Sequence, residues 1–408
     1  MGSARVGRVA ARLLGRGATA MLVGLGALLA VVGATRPPFD PMNARDATTF
    51  PRAHGAHPSA ALEWWYVTGV LRDEKDYRMG FQVTFFRARV DDAEGAARAG
   101  TAPTDGGGSG GGSSGAPSAW RPGDLFFAHY AISDLTSRYY RFDERIGRTS
   151  VAIAGADSTD LRVWIRDWSL TRLESGVFQL HASGDLGDLS LELTPPKRSP
   201  VAWGKDYRSN KDPEGRSFSR YHSYPRLRVA GRFAAPGALP RAVRGTAWYD
   251  HEWSNGESDP ELEGWDWFGL RLRDGRSLML YRMRDRYGET AHLFGGIVER
   301  DGRVRAFGKE HVRMDPLRTW VSARTQGRYP VAWRIVIDPP DEEPMEIEVS
   351  AVLSDQELDT KRSTRVSYWE GYVEGSVDEG DTKTKLEGYM ELTGYAGGGV
   401  PGRTGTPK

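Results

Sequence analysis

The stretch Glu63-Trp64-Trp65-Tyr66-Val67-Thr68-Gly69 governs the reading of this chain. Taken as a β-strand, it sends Glu63, Trp65 and Val67 to one face and Trp64, Tyr66 and Thr68 to the other, because side chains alternate with period two. The first set has interior character. Two successive tryptophans cannot fill the same barrel interior, so one of them must face a second domain or a ligand. The theme of an acid among rings returns in Trp248-Tyr249-Asp250-His251-Glu252-Trp253 and in Trp265-Asp266-Trp267. A carboxyl group among rings loses hydration, so its neutral form is favoured and its pKa rises. Such a group can donate a proton near neutral pH, and indole faces can stabilise a nearby cation.

Short alternating runs of this kind fill most of the chain. Segments 62–71, 78–90, 125–135, 161–170, 189–193, 226–233 and 243–249 read as strands. So do 267–273, 277–283, 332–337, 347–353, 366–373 and 385–392. Turn signals such as Asp274-Gly275 and Asp301-Gly302 separate them. The chain carries 13 Trp and 50 Gly and shows no long amphipathic helix. The expectation is an all-β protein built of antiparallel barrels or sandwiches. A length of 408 residues fits two domains. The Pro/Gly-rich segment 234–240 is the expected boundary, giving domains at 50–235 and 241–396. Residues 99–119 form a glycine/serine insertion, expected to be a disordered expansion of a hairpin tip. The tail from Gly397 is expected to fray.

Charge and cysteine content narrow the function classes. The net charge is +1, from 55 basic and 54 acidic side chains, so no nucleic-acid partner is expected. Cysteine is absent, which excludes disulfides, thiol catalysis and Cys-ligated metal centres. Arg5, Arg8, Arg12 and Arg16 precede an uncharged apolar run from Gly17 to Thr35 that ends near Val32-Gly33-Ala34. This is the pattern of a secretory signal over 1–35, with an uncleaved membrane anchor as the alternative. The expected location is extracytoplasmic. Outside the glycine/serine insertion no Gly-x-Ser-x-Gly elbow is present, nor any phosphate loop or dinucleotide fingerprint.

Several motifs together carry a family resemblance. They are Phe50-Pro51-Arg52-Ala53-His54-Gly55-Ala56-His57, Glu63-Trp64-Trp65-Tyr66, Gly80-Phe81-Gln82-Val83-Thr84-Phe85-Phe86-Arg87, Ala128-His129-Tyr130 and Tyr221-His222-Ser223-Tyr224-Pro225. Asp250-His251-Glu252-Trp253, Gly264-Trp265-Asp266-Trp267, Tyr368-Trp369-Glu370-Gly371 and Gly388-Tyr389-Met390-Glu391-Leu392-Thr393-Gly394-Tyr395 complete the set. In this order, over about residues 50–396, the chain resembles the AttH-like/carotenoid 1,2-hydratase (hydroxyneurosporene synthase) family of predicted secreted hydrolases. The resemblance implies two consecutive lipocalin-like β-barrels with a site near their interface. It also implies, for the hydratase branch, cofactor-free addition of water to an isoprenoid double bond, with cyclases or isomerases as relatives. The glycine-rich insertion and the export signal set this chain apart from a pigment enzyme.

The candidate residues follow from alternation. Asp266 shares a face with Phe268, Leu270 and Leu272, so it is either a general acid or a buried structural carboxylate. Asp250 and Glu252 share a face if their strand persists to the turn signal Asn255-Gly256, and two close carboxyls would divide into acid and base. Glu63 is a further partner carboxylate, and His222, beside Tyr221 and Tyr224, is the better histidine candidate. Trp64, Trp65, Tyr66, Tyr130, Tyr221, Tyr224, Trp253, Trp265 and Trp267 are the candidate walls of an apolar ligand site. His54 and His57 have metal-like spacing, but Gly55 and Pro58 deny a helix, and neither metal nor cofactor is expected. The sequence therefore points to an apolar small molecule as partner, with membrane association possible through the N-terminal segment. Acid-catalysed hydration or isomerisation and non-catalytic lipid carriage are the two functional alternatives.

Overall fold

The computed structural model describes residues 47–89, 124–254, 256, 261–340 and 343–396. The expected export segment, the glycine-rich insertion and the expected frayed tail lie outside the described residues.

The first sheet opens with β1 (Leu62–Arg72), β2 (Arg78–Ala88), β3 (Leu125–Asp134) and β4 (Tyr139–Arg148). Short strands follow: β5 (Ala154–Ala156), β6 (Arg162–Ile165), β7 (Trp168–Arg172), β8 (Phe178–Ala182) and β9 (Asp188–Thr194). It ends with β10 (Val201–Ala202), β11 (Arg208–Asn210), β12 (Phe218–Ala234) and β13 (Arg241–Ser254). Antiparallel pairing orders them β4-β3-β2-β1-β13-β12-β9-β8-β7-β6-β5, with β10 and β11 added against β12. The two ends of this path are consecutive in the chain, and the Ser150–Ala154 bridge ties them, so the sheet curls nearly closed.

The second sheet contains β14 (Leu262–Leu272), β15 (Ser277–Asp285), β16 (Thr290–Val298), β17 (Val304–Gly308) and β18 (Val312–Val321). It continues with β19 (Arg328–Ile337), β20 (Met345–Ala351), β21 (Glu357–Thr360), β22 (Val366–Glu379) and β23 (Thr382–Leu392). Its order is β17-β16-β15-β14-β23-β22-β20-β19-β18, with β21 against β22. The protein is thus all-β, with two consecutive antiparallel, lipocalin-like barrels.

Two expectations are corrected. The segment 234–240 is not the boundary: it is the connection between β12 and β13, and β13 pairs with both β1 and β12. The chain leaves the first sheet only after Ser254. A Pro/Gly-rich hairpin turn and an interdomain linker have the same composition, so composition alone misassigned β13. Segment 161–170 is two strands, because Arg166 adopts a left-handed φ of 56° and reverses the chain between β6 and β7.

Each barrel has its own core. Trp65, Val67, Phe81, Phe85 and Tyr130 fill the first, and Phe268, Leu270, Trp333 and Trp369 the second. A third apolar layer joins the outer faces, with Tyr66, Trp203, Tyr221 and Trp248 from the first sheet and Trp267, Met279, Tyr281, Tyr372 and Tyr389 from the second. Burying a large apolar side chain contributes roughly 1.5–3 kcal/mol, so this layer holds the barrels in one arrangement. Gly269 helps to shape it. A Cβ there would lie 2.3 Å from the Trp267 ring. Its absence lets that ring fold over its own strand and meet Trp248 edge-on, at 5.7 Å between centroids.

Candidate active site

Between the barrels lies a cavity of about 230 Å³. Alternation decides what lines it. On β1, Trp64 and Tyr66 face the cavity, while Glu63 and Trp65 turn into the first barrel. On β13, Asp250 and Glu252 face the cavity, while His251 and Trp253 turn away. The register sets Trp64 opposite Glu252 and Tyr66 opposite Asp250. The other wall comes from the second sheet: Trp265 and Trp267 on β14, Tyr281 on β15, Glu370 on β22 and Glu391 on β23. Glu370 and Glu391 are direct cross-strand partners.

Asp250 is buried, and its Oδ1 accepts from Trp248 Nε1 at 2.6 Å and from the Ser223 hydroxyl. Ser223 in turn accepts from Trp203 Nε1 at 2.6 Å. The Ser223 and Trp248 donors both go to Oδ1. Burial raises the Asp250 pKa to about 7, against the hydrogen bonds of Ser223, Trp248 and Tyr221 and with the help of the Glu252 charge. Glu252 is held differently. It receives the Ser219 hydroxyl, and Lys211 Nζ lies 2.6 Å from its Oε1. Burial works against the Lys211 charge, but Glu252 and Tyr281 more than offset it and its pKa rises. The ammonium also sits 4.4 Å from the centre of the Tyr281 ring.

The second-sheet acids have no such cation. Burial, then the neighbouring Glu391, raises the Glu370 pKa well above the usual carboxylate range. Burial raises Glu391 to about 8, opposed by a hydrogen bond from Trp265. The Tyr66 hydroxyl lies beside Glu370 and hydrogen-bonds to it, which opposes the rise without cancelling it. Beside them, Tyr368 joins the barrels: its hydroxyl meets His129 Nδ1 at 2.8 Å and accepts from Gln82 Nε2 at 3.2 Å. Burial lowers the His129 pKa to about 4, so the ring is neutral at ordinary pH.

On the opposite face of β1 and β13 lies a closed network inside the first barrel. Glu63 accepts from His57 Nδ1 at 2.8 Å, His57 N at 3.0 Å and Arg87 Nη1 at 3.1 Å, and it faces His251 Nε2 at 3.0 Å. Burial opposes its charge, yet the hydrogen bonds from His251 and His57 outweigh it and the pKa falls. His57 stacks on Trp253 at 3.7 Å, and Trp65 Nε1 donates to the His54 carbonyl at 3.0 Å. His57, Glu63 and His251 offer three ligand atoms within 4.8 Å of one another. The donor chemistry fits a metal poorly, because the Arg87 guanidinium already neutralises this carboxylate and would repel a second cation.

The sequence-derived candidates therefore divide three ways. Asp250, Glu252, Trp64, Tyr66, Tyr221, Trp265 and Trp267 meet at the cavity. Glu63, His222, Trp65, Tyr130, Tyr224 and Trp253 belong to the first-barrel side of the sheet and do not line the cavity. His222 contacts His54 Nδ1 at 3.3 Å, and burial holds its pKa well below the usual value. Asp266 points into the second barrel, as its alternation with Phe268 and Leu270 requires. There it is paired with Arg282 Nη2 at 2.5 Å and Arg284 Nε at 3.3 Å, and it accepts from the Tyr395 hydroxyl at 2.8 Å. This placement makes it the structural carboxylate rather than the general acid.

Sequence reasoning did not single out Glu370, Glu391 or Lys211. The signal for the two acids was available: each follows, two residues on, an aromatic residue of the same strand face, in Tyr368-Trp369-Glu370 and Tyr389-Met390-Glu391. Nothing local marks Lys211.

The AttH-like family profile matches residues 41–395. Among solved structures, a protein assigned to AttH from Nitrosomonas europaea is 32% identical, with a TM-score of 0.74, covering 88% of this chain and 100% of that one. Kievitone hydratase from Nectria haematococca shares the fold at 13% identity and a TM-score of 0.61, covering 90% of this chain and 97% of that one. A search of curated proteins finds no match.

Proposed function

This chain belongs to the AttH-like family, and on that premise we propose that its inter-barrel cavity binds an apolar, isoprenoid- or lipid-like molecule and hydrates or isomerises one of its C=C bonds. The observation that carries the reading is Asp250, a carboxyl held near pKa 7 inside an aromatic cavity. In the hydration reading, its proton goes to one alkene carbon as the π electrons form the C–H bond. Trp64, Trp265 and Trp267 face the tertiary cation that results, and water captures it. In isomerisation the cation loses a neighbouring proton instead. Acid chemistry of this kind needs no cofactor. The likeness to a hydratase supports the fold of such an enzyme and, at 13% identity, no more than the fold.

The test is to incubate the purified protein with isoprenoid and unsaturated lipids in heavy-oxygen water. A product heavier than its precursor by one labelled water supports hydration. An unlabelled isomer supports the second branch. Co-purified lipid that stays unchanged means a non-catalytic carrier. The arginine-led apolar N-terminus supports an extracytoplasmic place of action, which N-terminal sequencing of the exported protein would check.

A further inference from the structure

We propose that Glu370 and Glu391 share a single proton and act as the base that takes the proton of the attacking water, on the wall facing Asp250. This deepens the hydratase reading and rests on it for the catalytic step, but not for the shared proton.

The geometry is that of a pair. The two residues are directly opposed on neighbouring antiparallel strands and both reach the cavity. Directly opposed Cβ atoms in such strands lie about 5 Å apart, so two full charges there repel strongly in a buried setting. No lysine or arginine pairs with either among the ion pairs of the described residues, unlike Glu252, Glu63 and Asp266. Glu370 is 2% exposed, and the Tyr66 hydroxyl hydrogen-bonds to it, which opposes but does not cancel the effect of burial.

The groups facing the pair are mostly neutral or acidic. Tyr66 comes from β1, Asp250 and Glu252 from β13, Tyr140 from β4, Tyr368 from β22 and Tyr389 from β23. Lys211 is committed to Glu252. The surroundings therefore favour removing charge from the pair, and burial raises both carboxyls. With Glu391 raised to about 8, the singly protonated pair, which has one carboxylate available as a base and half the buried charge, is reached as pH rises toward 8.

The step balances. Asp250 gives its proton to carbon, the water oxygen forms the C–O bond to the cation, and the water's surplus proton passes to the ionised member of the pair. Asp250 is then a carboxylate and the pair holds two protons. One proton returns to Asp250 through solvent, and the enzyme is restored.

Carbon-13 NMR of side-chain carboxyls, in protein labelled at glutamate, tests the pair without any substrate. The expected result is two resonances that titrate in two linked steps, separated by more than about 1 pH unit. Glu391→Gln should then move the Glu370 midpoint downward, and Glu370→Gln should do the same to Glu391. Independent single steps, with midpoints unmoved by either substitution, overturn the shared proton. If the titrations are linked but no labelled product forms with the alkene pool, the pair stands and the hydratase reading fails. If hydration occurs in the wild type, each Gln variant should lose at least about 100-fold in turnover and lose the acid limb of the pH–rate profile, the limb set by deprotonation of the base. Turnover unchanged in both variants overturns the base assignment.

Discussion

β1 and β13 carry acids on both faces, and the two faces treat them in opposite ways. Toward the first barrel, Glu63 meets His57, His251 and Arg87 and is stabilised as a carboxylate. Toward the cavity, Asp250 meets a serine and a tryptophan and is pushed up to about 7. Both side chains are buried among aromatic rings, so burial alone does not separate them. The difference lies in what faces the oxygens. A buried carboxyl with a cation and several N–H donors ionises, and one without a cation keeps its proton. Asp266 is likewise paired with arginines, Arg282 and Arg284, and Glu391 repeats the second case.

The largest expected effect sharpens this contrast at the cavity. Asp250→Asn should lower the hydration rate by about 10²–10⁴-fold while the folded fraction is unchanged. Turnover of the labelled-water assay, beside near-ultraviolet circular dichroism, measures both. A variant that retains its rate would break the assignment of Asp250 as donor.

Glu63→Gln should act on the other face and on the other quantity. It removes one of the two carboxylates of the buried Arg87, whose Nε keeps Asp124 Oδ2 at 2.6 Å, at a cost of about 1–3 kcal/mol of stability. Urea unfolding at neutral pH measures this. A loss of less than about 1 kcal/mol would mean that the network contributes little to stability.

Next comes the pH dependence, where the two faces should have opposite signs. Asp250 rises from 3.8 to about 7 and Glu391 from 4.5 to about 8 on folding. The native state therefore holds protons that the unfolded chain releases, so stability falls as pH climbs from about 4 to about 8. Glu391→Gln should flatten that fall and add on the order of 2 kcal/mol above pH 8. Glu63, whose pKa is lowered, contributes stability that is present at neutral pH and lost as pH drops below its ordinary value of 4.5. Unfolding midpoints across pH in the wild type and the two variants would separate these limbs.

The smallest effect concerns the wall. Tyr221→Phe removes the acceptor of Trp267 Nε1, which lies 3.2 Å away, and should cost about 1 kcal/mol. It should loosen the Trp267 ring and weaken binding of a fluorescent isoprenoid probe more than it alters unfolding.

Much of the site could be read from strand alternation. The split of Trp64 from Trp65, the common face of Asp250 and Glu252, and the apolar face of Asp266 all follow from period two. Alternation was silent on which of two faces is a cavity and which is a core. That is why Glu63, His222, Tyr130, Tyr224 and Trp253 stood among the candidates although they lie on the first-barrel side. Glu370 and Glu391 are more than 100 residues away from Asp250, and only the stacking of two sheets brings them to its cavity.

The sequence by itself determined the two-barrel, all-β character and the sorting of each strand's side chains into two sets, because both depend on local backbone geometry. Tertiary structure alone decided which carboxyls keep their protons. That outcome depends on the cations and donors that distant strands deliver: Arg87 from β2 to Glu63, and no cation to Glu370 among the described ion pairs. Electrostatic energies in a buried site are set by distances through space, and those are fixed only once the sheets have closed and met.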